Sequence, residues 1–258
     1  EPLLFGDQEK ITSLLDQLRL PKDMEIIHAQ DPVQAAEKAM EAVAKGEADL
    51  VMKGLVDTAV ILKALLDKRF DLRDKALLSH MMIYEMESYG KLLGLTDGGM
   101  LLQPDYDQKK AILENGLEVF KALGYDEVKV AGLAAKEKVN EKMQATVDAR
   151  RLQEEVREEG LVFEGPLALD LIFSKEAAKT KNFSSQIAGE VDFILVPSIE
   201  TGNALGKSFT YAAGAESAGI IMGAKIPLVL VSRADSMESK LYSIALGKCI
   251  ARHKKESK

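Results

Sequence analysis

Apolar positions along this chain recur with two periods, one near 2 and one near 3.6, and the two take turns from end to end. Leu3–Gly6 reads as the end of a strand, and 7–20 as an amphipathic helix stopped by Pro21. Residues 24–28 are a short β run. Asp31-Pro32 then signals a helix start, with Asp as N-cap and Pro at the first helical position, and that helix ends near Gly46. Residues 49–53 predict a strand, Gly54 a turn, and 57–68 a helix with apolar residues at 61, 62, 65 and 66. Residues 77–84 and 92–96 read as strands ahead of a Gly98-Gly99 turn. Pro104-Asp105 opens a helix to about 123, closed at Gly124; 128–134 predict a strand, 140–159 a highly charged helix, and 161–163 a strand. Gly165-Pro166 leads into a helix through 179, 192–196 form a strand, and 200–218 read as largely helical with a glycine-broken start. Such alternation predicts an α/β fold: a mostly parallel sheet with helices on both faces. A break at 96–105, where a glycine turn and a proline interrupt the rhythm, suggests two lobes with a cleft between them.

The chain is organised around its last third. Residues 219–231 contain two apolar β-rich runs, followed by Ser232-Arg233-Ala234-Asp235-Ser236 and a helical pattern from Met237 to Ile250. In α/β sheets ligands gather where strands end and helices begin, because helix N-terminal N–H groups point outward there. Ser232, Arg233, Asp235 and Ser236 offer hydroxyls, a fixed cation and a carboxylate. Helix capping by Asp235 or Ser236 beside a solvated Arg233 accounts for the same residues.

Composition narrows the classes. The 258 residues are 47% apolar and 29% charged, ordinary for a soluble globular protein. A formal charge of −7 argues against a general nucleic-acid binder. Cys249 is the only cysteine, so no intrachain disulfide forms, and beside Leu246 and Ile250 it reads as a buried thiol. No apolar run approaches the roughly 20 residues that span a bilayer, and no signal peptide is visible. The chain opens at Glu1 without a methionine, almost directly in Leu3-Leu4-Phe5, as it would with a βα unit ahead of it.

Further chemical candidates fall at strand-to-helix turns: Lys53-Gly54, Ser79-His80, Asp170 in Gly165-Pro166-Leu167-Ala168-Leu169-Asp170, and Thr201-Gly202-Asn203 followed by Lys207. Each has a structural reading: a strand-end charge, an interior histidine, a helix-surface carboxylate, an ordinary turn. Their shared placement is what favours a site. No phosphate loop, G-x-G-x-x-G fingerprint or zinc-binding cluster is present, and no metal is expected.

The strings Ala48 to Gly54, Leu77-Leu78-Ser79-His80, Leu95 to Met100, Glu137-Lys138-Val139-Asn140, Gly165 to Asp170, Val196 to Asn203 and Ser232 to Ser236 resemble, in order, those of the phosphate acetyl/butyryl transferases, with the butyryl branch nearest. The resemblance implies a two-lobed α/β/α fold like that of the isocitrate/isopropylmalate dehydrogenases, with the active site in the inter-lobe cleft. Residues 1–103 plus 236–258 would form the first lobe and 104–235 the second. It implies reversible transfer of a short acyl group, butyryl in the first instance, between coenzyme A and phosphate, with coenzyme A as substrate and no bound cofactor. Phosphate acetyltransferase and a non-catalytic coenzyme A-binding protein are the alternatives. On this reading Ser232, Arg233 and Asp235 are catalytic, and Lys53, Gly54, Ser79, His80, Asp170, Thr201, Gly202, Asn203 and Lys207 bind substrate. The aspartate proposed as base in acetyl-type relatives falls at Ser239 here, leaving Asp235 and Glu238 nearest, and an arginine of those relatives is Lys63. A cytoplasmic homodimer or higher homo-oligomer is expected, with no nucleic-acid or membrane partner.

Overall fold

The computed structural model describes residues 1–21, 23–232 and 235–256. β1 (Leu3–Gly6), α1 (Gln8–Gln17) and β2 (Glu25–His28) make a small parallel β-pair that stands apart from the main sheet. The rest follows as α2 (Pro32–Ala44), β3 (Val51–Met52), α3 (Thr58–Leu65), β4 (Ser79–Glu85), β5 (Leu92–Thr96), α4 (Tyr106–Ala122), β6 (Val128–Leu133), α5 (Gln144–Glu155) and β7 (Leu161–Leu167). The last third holds α6 (Leu169–Phe173), α7 (Lys175–Thr180), β8 (Phe193–Leu195), α8 (Ile199–Ala212), β9 (Glu216–Met222), β10 (Leu228–Val229) and α9 (Met237–Glu256).

The main sheet has eight strands in the order β3-β10-β9-β4-β5-β8-β6-β7. It is mixed rather than mostly parallel: β9 runs antiparallel to β10 and β4, and β4 antiparallel to β5. Connection length explains two of these pairings. The short links from β4 to β5 and from β9 to β10 can only turn back, because a parallel partner needs a crossover of a dozen residues or more. Side chains alternate across the sheet as a period of 2 requires. Along β9, Ala218, Ile220 and Met222 join a core with Ile112, Leu113 and Phe120 of α4, Leu152 of α5 and Leu246 and Ile250 of α9. Ile221 faces the other way, to Met40 of α2 and Ile61 and Leu65 of α3. Leu171 and Ile172 of α6, Ala178 of α7 and Phe209 of α8 pack on that same side, over Leu93, Leu95 and Ile194.

Several predicted boundaries move. The helix expected over 200–218 stops at Ala212, because Gly214 takes φ +66° and Glu216, Ser217 and Ala218 pair with Glu85, Tyr84 and Ile83 of β4. The strand expected over 161–163 runs on to Leu167 through Gly165-Pro166; β7 is an edge strand, where a proline without an N–H breaks no ladder. The helix expected through 179 splits in two at Ser174, whose hydroxyl caps α7. Cys249 is exposed, one residue off the buried line of Leu246 and Ile250.

Charges tie the elements together. Lys254, near the end of α9, pairs with Glu118 of α4 at 2.6 Å and with Asp74 at 3.0 Å. Between α4 and α5, Lys109 and Asp148 meet at 2.6 Å with side chains only 7% and 6% exposed, and Gln144 donates to the second carboxylate oxygen at 2.7 Å. An ion pair this buried is held in place by the cost of stranding either partner. Lys109→Met, which leaves Asp148 buried and unpaired, is expected to lower unfolding free energy by about 3–5 kcal/mol. In urea unfolding, Lys109→Met/Asp148→Leu should recover most of that loss; a single variant as stable as the parent would contradict the account.

Candidate active site

A cavity of about 460 Å³ opens where the ends of β3, β10 and β5 face the first turns of α3 and α8. Its polar wall carries Lys53, Thr58, His80, Tyr84, Asn203, Lys207, Thr210, Ser217, Ser232 and Asp235, and its apolar wall Met82, Leu95, Leu230 and Val231. Gly98, Gly99, Gly202 and Gly206 also line it.

The turn after β5 is built by Asp97. Its buried carboxylate accepts the N–H groups of Gly99 at 2.7 Å and Met100 at 2.8 Å through one oxygen, and that of His80 at 3.1 Å through the other. Glycine is required where this turn meets α8. A Cβ on Gly202 would lie 2.7 Å from the Gly98 Cα and 2.9 Å from the Asp97 carbonyl oxygen, so any larger residue would lift the helix off the turn. Asn203 completes the contact, donating to the Gly98 carbonyl at 3.3 Å.

Lys53 is buried, and its ammonium donates to the carbonyls of Gly54 and Val56 at 3.2 Å each. An ammonium has three N–H groups, so one remains for a ligand. Past the end of the neighbouring strand β10 the Asp235 carboxylate accepts the Ser232 N–H at 2.7 Å, in the turn that leads to α9. Arg233 lies outside the described residues. Both His80 ring nitrogens are buried without a hydrogen-bond partner. That desolvation holds the imidazole below its ordinary pKa of 6.5, against the opposing pull of the Asp97 and Asp235 charges.

Of the residues singled out in the sequence, the structure brings Lys53, His80, Gly202, Asn203, Lys207, Ser232 and Asp235 to one cavity, with Gly54 joined to it through the Lys53 ammonium. It does not bring Ser79, Thr201 or Asp170 there. Ser79 points to the far side of β4 and accepts from Asn115 at 2.8 Å; the Thr201 hydroxyl meets that of Ser198 at 3.2 Å; Asp170 pairs with Lys181 on the surface. Ser239 is buried within hydrogen bonds to Ser217 and Ser236, and exposed Glu238 is not part of the wall. Thr58, Tyr84, Thr210 and Ser217 were missed. The spacing 203, 206, 207, 210 marks one helical face and would have found Thr210; Tyr84 and Ser217 carry no such signal, since β4 and β9 meet only through the fold. Among the described residues no group of three or more His, Cys, Asp or Glu is placed to hold a metal, and no helix is long and apolar enough to cross a membrane.

Residues 2–247 match the family model described as Phosphate acetyl/butaryl transferase. The chain is 43% identical over 250 residues to a probable phosphate butyryltransferase of Bacillus subtilis, covering 96% of this chain and 83% of that one. It is 40% identical over 256 residues to a phosphate acetyltransferase of Thermotoga maritima, covering 97% and 86%. A crystal structure of a branched-chain phosphotransacylase from Enterococcus faecalis superposes with a TM-score of 0.85 at 32% identity, covering 98% of this chain and all of that one. At the level of fold alone, a 4-hydroxythreonine-4-phosphate dehydrogenase from Klebsiella pneumoniae superposes with a TM-score of 0.58 at 11% identity, covering 96% and 90%.

The buried His80 makes stability depend on pH. Its folded pKa lies below the unfolded value, so below about pH 6.5 the unfolded chain binds the extra proton and stability falls; above that the contribution is fully present. One proton corresponds to at most about 1.4 kcal/mol per pH unit. Urea unfolding of His80→Gln between pH 5 and 6.5 should show a shallower pH slope than the parent; an equal slope would refute the assignment.

Proposed function

The chain belongs to the phosphate acetyl/butyryl transferase family, and from that membership we propose that its preferred acyl group is butyryl. It is a phosphate acyltransferase: it moves an acyl group reversibly between coenzyme A and inorganic phosphate. The observation that carries the chain-length reading is the cavity's apolar wall, Met82, Leu95, Leu230 and Val231, set against its polar rim. Two methylenes beyond acetyl, laid on that wall, gain about 0.8 kcal/mol each.

We take Ser232, Arg233 and Asp235 as the group acting on phosphate and the departing charge, with Lys53 and Lys207 as further cations on the rim. A guanidinium grips phosphate in a bidentate fork, and hydroxyl and N–H donors stabilise the tetrahedral oxyanion. Coenzyme A leaves or attacks as thiolate, and a thiol of pKa about 8.5 needs only a modest base or a cationic environment. Asp235, bonded to the Ser232 N–H, is a turn-former and an orienter of Arg233 rather than the base. The cavity takes its walls from Lys53 to Thr58 and His80 on one side and from Gly202 to Tyr211 on the other, which supports reading it as the cleft between lobes 1–103 plus 236–258 and 104–235. Met237 and Leu241, exposed on α9, are suited to a homo-oligomeric contact.

Free thiol released from butyryl-CoA should require phosphate, and kcat/KM should exceed that for acetyl-CoA by about tenfold, as two buried methylenes predict. Equal or reversed preference would remove the butyryl assignment while leaving the family activity. Asp235→Asn is expected to raise the KM for phosphate more than it alters the pH–rate profile. If the acidic limb of kcat disappears and the phosphate KM stays constant, Asp235 is the base instead.

A further inference from the structure

Tyr84 stands on the cavity wall with a side chain unlike its polar neighbours there. The residue is only 3% exposed, yet its hydroxyl has no hydrogen-bond partner among the described residues. Several other donors of the wall are engaged: Asn203 with the Gly98 carbonyl, Thr210 with the Gly206 carbonyl, Ser217 with Ser239, and two of the three Lys53 N–H groups with carbonyls. Unlike the His80 nitrogens, this oxygen is not sealed from solvent; it opens into the cavity, where a ligand can accept its hydrogen bond. The ring is held rigid by an edge-to-face contact with Phe209, centroids 5.3 Å apart at 78°. Space for the oxygen is kept by Gly206, where a Cβ would collide with it. Burial, and then the Asp235 charge, raise the phenol pKa, so the group stays protonated and can only donate to an anion. Met82 and Leu95 flank it in the same cavity, the wall given above to the acyl chain.

We propose that the Tyr84 hydroxyl donates a hydrogen bond to the acyl carbonyl oxygen and stabilises the negative charge that develops on it. The inference rests on the acyl-transfer reading. A phosphate oxygen attacks the thioester carbon, forming the O–C bond while the C=O π pair moves onto the carbonyl oxygen beside Tyr84. As that pair returns, the C–S bond breaks, the sulfur leaves with its electrons, and the proton of hydrogen phosphate ends on the coenzyme A thiol. A preorganised donor of this kind acts mostly on the transition state, so its removal lowers kcat more than it weakens binding.

Tyr84→Phe should lower kcat and kcat/KM for butyryl-CoA together by about 100-fold, with the phosphate KM unchanged. Gly206→Ala, which pushes on the same oxygen while keeping the phenol, should reproduce the loss. Independently of turnover, isotope-edited infrared spectra of bound [1-¹³C]butyryl-CoA should show the carbonyl stretch at lower frequency with the parent protein than with Tyr84→Phe. Unchanged kcat with an unchanged carbonyl frequency overturns the proposal, as does a raised phosphate KM at parental kcat, which would give the hydroxyl to phosphate. A parent protein that releases no thiol overturns the acyl-transfer reading, and the carbonyl shift then still decides whether Tyr84 contacts the acyl oxygen.

Discussion

The Asp97 carboxylate, 2% exposed, accepts three backbone N–H groups, from His80, Gly99 and Met100. Hydrogen bonds to a buried charge are worth about 1.5–3 kcal/mol each, and a lost partner would leave that charge uncompensated. The arrangement therefore has one answer. It fixes the turn at the end of β5, ties it to β4, and presents the glycine surface on which the first turn of α8 rests. With α8 seated, Gly202, Asn203, Gly206 and Lys207 reach the cavity. The far wall depends on a second carboxylate clamp, Asp235 on the Ser232 N–H, which sets the turn from β10 into α9.

Between these clamps the cavity separates its chemistry by face. Met82, Leu95, Leu230 and Val231 are apolar strand and strand-end residues, and the cations stand at the openings of α3 and along α8. A low-dielectric wall beside a polar rim suits a substrate with an apolar chain on one side of its reacting carbon and charge on the other. The same low dielectric keeps His80 neutral and Tyr84 protonated, so the two ring side chains line the cavity as uncharged groups. Small residues at 206 and 219 leave room for both rings: Gly206 under the phenol, and Gly219 beside the His80 imidazole, where a Cβ would lie 3.3 Å from Nε2.

Much of this was legible from residue order. Asp31-Pro32 and Pro104-Asp105 announced α2 and α4, and both aspartates cap as their chemistry requires, the second in a full capping box with Gln108. The turn residues Lys53, Asn203 and Asp235 stood out because polar groups at strand-to-helix junctions are few and chemically distinctive. Local signals of this kind survive folding, since a cap or a turn is satisfied by neighbours within a few residues.

What the order of residues could not carry is contact between distant strands. That β9 enters the sheet between β10 and β4, running antiparallel to both, decides that Ser217 and Tyr84 share a wall, and no periodicity within either strand records it. Ser79 and His80 look equally chemical in sequence; the pleat sends one to Asn115 in the core and the other to the cavity. Asp170 looks chemical too, until the fold sets it beside Lys181 on the surface. The sequence by itself determined the alternation of helices and strands and the starts marked by a cap, as at Asp31 and Asp105, because those are settled by backbone geometry and near neighbours. Which side chains meet was decided only by the tertiary structure, because strand order, register and the face of each residue depend on partners outside the local segment, as distant as Ser217 is from Tyr84.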